Sequence, residues 1–176
     1  MSVVDRLVNK IMNNIYEDKS SETTREDIYN ALLTMIKWTR QFNQKEEIRG
    51  LIKYTTSPLM WAKEYCTIKY CLPRRSGHTE FITKMLDLGK MNGGQHSLFE
   101  GPVVIFPNID IAESSNFSPK WDWVGTPKNL DKFRGRKWGS VIVDCSSVLS
   151  KNEIENIYKA FQYHIIIPNF VFIFLE

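Results

Sequence analysis

Thr67-Ile68-Lys69-Tyr70-Cys71-Leu72, running into Pro73-Arg74-Arg75-Ser76-Gly77-His78-Thr79, is the stretch on which the fold turns. Its first six residues, half of them β-branched or aromatic, read as a strand. The proline, paired arginines, serine and glycine then end it. From Gly77 to about Leu88, Phe81, Ile82, Met85 and Leu88 recur at helical spacing. The same order returns downstream. Pro102-Val103-Val104-Ile105-Phe106 and Ser140-Val141-Ile142-Val143 are short apolar runs of the doubly buried kind. Ser150 caps a helix carrying Ile154, Ile157, Tyr158 and Phe161, and Phe170 to Leu175 is a last apolar strand. Alternating strands and helices predict an α/β fold with a small, mainly parallel sheet.

Upstream of residue 67 the pattern is helical. Val4, Val8, Ile11 and Ile15 predict a helix over 3–16, and Ile28, Leu32, Met35, Ile36 and Phe42 predict another over about 25–43. A third, over 45–54, carries Ile48, Leu51 and Ile52, and Ser57-Pro58 starts a fourth short piece. The expected organisation is an N-terminal helical region, 1–66, ahead of an α/β core, 67–176, within one compact domain. Pro107, Pro119 and Pro127 punctuate 107–137, which is expected to be a long polar loop carrying function.

Composition narrows the class. The chain of 176 residues is 43% hydrophobic with a net charge of +3, too mild to identify an acidic partner. The basic excess is concentrated in 66–140, whereas 141–176 is net acidic. Cys66, Cys71 and Cys145 form no CxxC pair and are odd in number, so reduced thiols and a cytoplasmic location are expected. No apolar run nears the roughly 18–20 residues that cross a bilayer, and no membrane partner is expected.

The chemistry is expected in the turn between the first strand and its helix. A loop there aims backbone N–H groups and the positive helix end at phosphate oxygens. In the pattern GxxxxGK[ST] the lysine neutralises the outer phosphates and the hydroxyl residue binds Mg²⁺. Gly77 and Thr79 stand at the second-glycine and hydroxyl positions, Leu72 replaces the first glycine, and His78 replaces the lysine. An imidazole is shorter than a lysine and less charged at neutral pH, so it holds a triphosphate less well. Asp144 ends the strand Val141-Ile142-Val143, where the acidic partner of a phosphate loop belongs, but Cys145 stands where a second acid would orient an attacking water.

On these residues the segment 67–176 resembles the P-loop NTPases, particularly the motor ATPases of phage terminase large subunits and helicases. Phe133-Arg134-Gly135 ahead of the acidic strand, and Ser146-Ser147-Val148-Leu149-Ser150 after it, follow the order of that class. The resemblance implies a P-loop-type sheet with ATP and Mg²⁺ as ligands. Arg74, Arg75, Ser76, Gly77, His78 and Thr79 would lie on the nucleotide, and Thr79 and Asp144 on the metal. It is also consistent with a phage or mobile-element origin. The missing lysine and second acid imply a reduced relative, weak or inactive in catalysis, acting through DNA-processing or host machinery. Two alternatives stand beside it. One is an active Mg²⁺-dependent ATPase in which His78 serves for lysine; the other is a protein-interaction module, such as a phage-encoded inhibitor or regulator, that has lost its ligand.

A second region invites nucleic acid. Lys128, Lys132, Arg134, Arg136 and Lys137 lie among Trp121, Trp123, Phe133 and Trp138, a mixture suited to phosphates and unpaired bases. The alternative is a solvated loop whose tryptophans fold back on the sheet. His96 and His164 are far apart and give no zinc pattern. Cys66 and Cys71 are expected to pack beside the first strand.

Overall fold

The computed structural model of the 176-residue chain describes residues 25–54, 57–71, 77–91, 101–166 and 169–176. The expected helix over 3–16 and Leu72, Arg74, Arg75, Ser76 and His96 lie outside the described residues. The helices are α1 (Arg25–Gln44), α2 (Glu46–Tyr54), α3 (Pro58–Tyr65), α4 (His78–Met91), α5 (Ile109–Ser114) and α6 (Lys151–Phe161). The strands are β1 (Thr67–Tyr70), β2 (Pro102–Ile105), β3 (Val124–Gly125), β4 (Ser140–Val143) and β5 (Val171–Leu175). Short 3₁₀ turns occupy Leu130–Phe133, Ser146–Val148 and Gln162–Ile166.

All five strands are parallel, in the order β1-β5-β4-β2-β3. Parallel neighbours need crossover connections, which place cover on both faces and make the strands apolar on both sides. The side chains obey this. Val104, Ile142, Val171, Ile173 and Leu175 turn to one face, where they meet Leu32 and Ile36 of α1, Phe81, Ile82 and Met85 of α4, and Ala112 of α5. Val103, Ile105, Val141, Val143, Phe172 and Phe174 turn to the other, against Trp61 and Ala62 of α3, Phe133, and Ile157, Tyr158 and Phe161 of α6. Each fully buried side chain of this size contributes about 1.5–3 kcal/mol, so the two layers outweigh any local propensity along the strands.

The N-terminal helices form part of the same core. Leu32 and Ile36, one turn apart on α1, are fully buried, and Arg40 one turn further is 1% exposed. The Arg40 guanidinium donates to the Gly139 carbonyl at 3.4 Å, just before β4. Burial pulls its pKa down to about 10, which leaves it protonated at neutral pH. On the opposite face Ser57 caps α3 by accepting from the Met60 N–H at 3.3 Å, with Pro58 in the first turn.

Residues 107–137 hold more structure than their prolines suggest. Asn108 caps α5 by accepting from the Ile111 N–H at 2.9 Å, and Val124-Gly125 pairs with Val104-Ile105 as an edge strand. Cys71 also differs from expectation. Cys66 is buried beside β1, but Cys71 is exposed and its thiol donates to the Glu176 carboxylate at 3.1 Å, because it lies one residue beyond the paired strand.

Candidate functional site

The carboxyl ends of β1, β4 and β5 form one edge of the sheet, and β5 separates the other two. The chain leaving β1 goes to the α1 face through α4, whereas the chain leaving β4 goes to the opposite face through α6. Crevices of this kind, at strand carboxyl ends with connections departing to opposite sides, are where open α/β sheets receive ligands.

Gly77 precedes α4 with φ 98°, a left-handed conformation that glycine adopts without a Cβ penalty, and its carbonyl accepts from the Phe81 N–H at 2.8 Å. His78 and Thr79 are therefore the first residues of a 14-residue helix, where N–H groups lack intrahelical partners. The Thr79 side chain is exposed, and His78 is partly buried.

The decisive geometry is a contact across 66 positions of sequence: His78 Nδ1 lies 3.0 Å from Asp144 Oδ1. The two side chains are 18% and 4% exposed. The same carboxylate oxygen accepts from the Cys145 N–H at 3.0 Å. With Nδ1 engaged, His78 Nε2 is buried and has no hydrogen-bond partner among the described residues. Cys145 sits at φ 47°, ψ 45°, a left-handed residue directly after the acid. Its thiol is pushed up to about 11, first by burial and then by the Asp144 charge. It is thus a protonated thiol at neutral pH and a poor nucleophile.

His78, Asp144 and Cys145 together offer one nitrogen, one oxygen and one sulfur, all within 4.8 Å of one another. The Mg²⁺ implied by the resemblance fits this set poorly. Magnesium selects oxygen donors in a near-octahedral shell, whereas the neighbours of the one carboxylate here are an imidazole and a thiol.

The basic segment is dispersed by the fold. Lys132 points inward, and its ammonium donates to the carbonyls of Pro119 at 3.1 Å, Trp121 at 3.0 Å and also Val124. Burial lowers its pKa. Phe133 and Trp138 are buried, and the Trp138 indole N–H donates to the Phe133 carbonyl at 3.1 Å, so neither ring is open to a base. Trp121 stacks on Trp123 at 4.8 Å and keeps an exposed face. Arg134 pairs with Asp131 at 2.9 Å and Arg136 with Asp122 at 3.0 Å, both at the surface, and Lys128 and Lys137 are exposed. Lys128 and Arg134 border a groove of about 680 Å³ that also includes Asn156, Lys159, Tyr163 and His164.

No known protein family matches the chain, and no curated protein or solved structure matches it either. No helix among the described residues is long and apolar enough to cross a membrane.

Cys145, Lys159 and Tyr163 are the residues that sequence reading did not place at a site. For Cys145 the signal was present as a thiol immediately following the strand-end acid. Lys159 and Tyr163 carry no local pattern, because they join the groove only through the packing of α6 and the turn after it.

Proposed function

We propose that the protein is a degenerate P-loop-like module that binds a nucleotide through its phosphates at the carboxyl edge of the sheet and hydrolyses it slowly or not at all. The observation that carries this reading is the His78–Asp144 contact at the start of α4, with His78 Nε2 buried and without a partner among the described residues. With a proton on each ring nitrogen, an imidazole so placed can donate one N–H to Asp144 and the other to a phosphate oxygen, beside helix-start N–H groups that lack intrahelical partners. Asp144, engaged by His78 and by the Cys145 N–H, is poorly disposed to organise an attacking water. ATP is the ligand to test, and DNA-processing machinery is the setting that the resemblance suggests.

Isothermal titration of the wild type and Thr79→Ala with ATP tests the reading. Saturable heat for the wild type, weakened in the variant, with no steady phosphate release is expected. Absence of heat from the wild type would refute nucleotide binding. Turnover abolished by Asp144→Ala would instead establish a working ATPase.

The exposed Tyr163 beside Lys128, Arg134 and Lys159 favours a second reading, in which that surface binds single-stranded nucleic acid. Its prediction is salt-dependent binding. Changing the groove's three cations, Lys128, Arg134 and Lys159, together to Ala should flatten the slope of log affinity against log salt by about 2, at roughly 0.7 per neutralised phosphate. Unchanged binding by the triple variant would remove it.

A further inference from the structure

We infer that His78, Asp144 and Cys145 form a binding site for a zinc-class transition-metal ion, with an open coordination position toward the carboxyl edge of the sheet. The inference concerns the edge assigned above to phosphates but does not rest on nucleotide binding.

The donor set is the first reason. A neutral imidazole nitrogen, a carboxylate oxygen and a thiolate sulfur are the three ligand types that Zn²⁺ accepts together, and three protein ligands leave the fourth tetrahedral position open. Among the described residues no other group of three His, Cys, Asp or Glu side chains converges in this way.

Geometry is the second. With bonds of about 2.0 Å to nitrogen and oxygen, a tetrahedral edge is about 3.3 Å, and it lengthens to about 3.5 Å when sulfur at about 2.3 Å is one of the pair. His78 Nδ1 and Asp144 Oδ1 are already 3.0 Å apart, and one ligand atom from each of the three residues falls within 4.8 Å of the others. A few tenths of an ångström of opening on one side and at most about 1.3 Å of thiol movement on the other complete the set. Cys145 is next to Asp144 in the chain, so both ligands ride on one left-handed turn at the end of β4.

Proton balance is the third. On binding, Cys145 releases its thiol proton to solvent and forms the sulfur–metal bond. A neutral ring that donates from Nδ1 to Asp144 shifts its proton to Nε2 as Nδ1 takes the metal. Nε2 has no partner among the described residues, so the shift breaks no hydrogen bond to them. The ring then presents an N–H to an anion, and the metal supplies positive charge at a site whose loop lacks the lysine.

Titration of the full chain with Co²⁺, without nucleotide, tests the site. One equivalent should bind with a thiolate-to-cobalt charge-transfer band and tetrahedral visible absorption. Zn²⁺ should displace it, and excess Mg²⁺ should not. Cys145→Ser should abolish the band and His78→Ala should weaken binding at least about tenfold, while Cys71→Ser, at the exposed thiol, should leave both intact. Far-ultraviolet circular dichroism checks that each variant is folded. No saturable binding, displacement by Mg²⁺, or a band that survives Cys145→Ser and is lost in Cys71→Ser would overturn the inference. ATP titrations run in a chelator report separately on the phosphate reading.

Discussion

Gly125 shows how little room the short edge strand leaves. A Cβ placed there would stand 2.5 and 2.6 Å from the Phe133 ring and 3.1 Å from Asn129 Oδ1. The ring is fixed in turn by Trp138 at 5.8 Å and Phe161 at 5.6 Å, so it cannot retreat without disturbing the core. Gly125→Ala is expected to lose about 1–3 kcal/mol, the usual range for overpacking, seen as a lower urea midpoint at unchanged slope. Loss below a few tenths of a kcal/mol would mean that the ring moves freely. Lys132 is the companion case, since its ammonium gathers three carbonyls of the same segment. The sequence shows a lysine in a basic cluster and suggests a surface. Its true partners are backbone oxygens 8 to 13 residues away, which no residue-type pattern reveals.

At the scale of elements, the caps were the most legible features. Ser150 Oγ accepts from the Glu153 N–H at 3.3 Å, and Glu153 Oε2 accepts from the Ser150 N–H at 2.9 Å, closing a reciprocal box at the start of α6. Ser150→Ala should cost about 1 kcal/mol. The hydrogen bond from the Ser150 hydroxyl, with that from its backbone, holds the Glu153 carboxyl below the ordinary glutamate range. A depressed carboxyl contributes stability above its unfolded value and loses it as pH falls through the folded value. Thermal melts from pH 7 to 3 should therefore show the gap between wild type and Ser150→Ala narrowing below about pH 4, near the glutamate range. A gap that widens on acidification would contradict the assignment. The helices over 25–44 and 151–161 and the apolar strands were visible because their patterns span several turns or whole buried runs. Val124-Gly125 was not, because two residues have no period and become a strand only by pairing with β2.

At the scale of the whole molecule, the sheet makes the candidate site. His78 belongs to the first crossover and Asp144 to the end of β4, and β5, the last strand in the chain, lies between the strands that carry them. The sequence suggests both residues for one site, as a loop position and its strand-end acid, but not that they touch. Their 3.0 Å contact depended on a strand order that only packing on both faces determines. On the proposed reading His78 stands in for the longer lysine, with one ring nitrogen on Asp144 and the other left for phosphate. Supplying the longer side chain, whose ordinary pKa keeps it charged at neutral pH, should strengthen the same site. The most direct measurement is ATP affinity by isothermal titration of the wild type and His78→Lys side by side, both checked for folding. Saturable binding by the wild type, tightened several-fold in His78→Lys, is the predicted result. Binding by neither protein, or equal affinity in both, would contradict it.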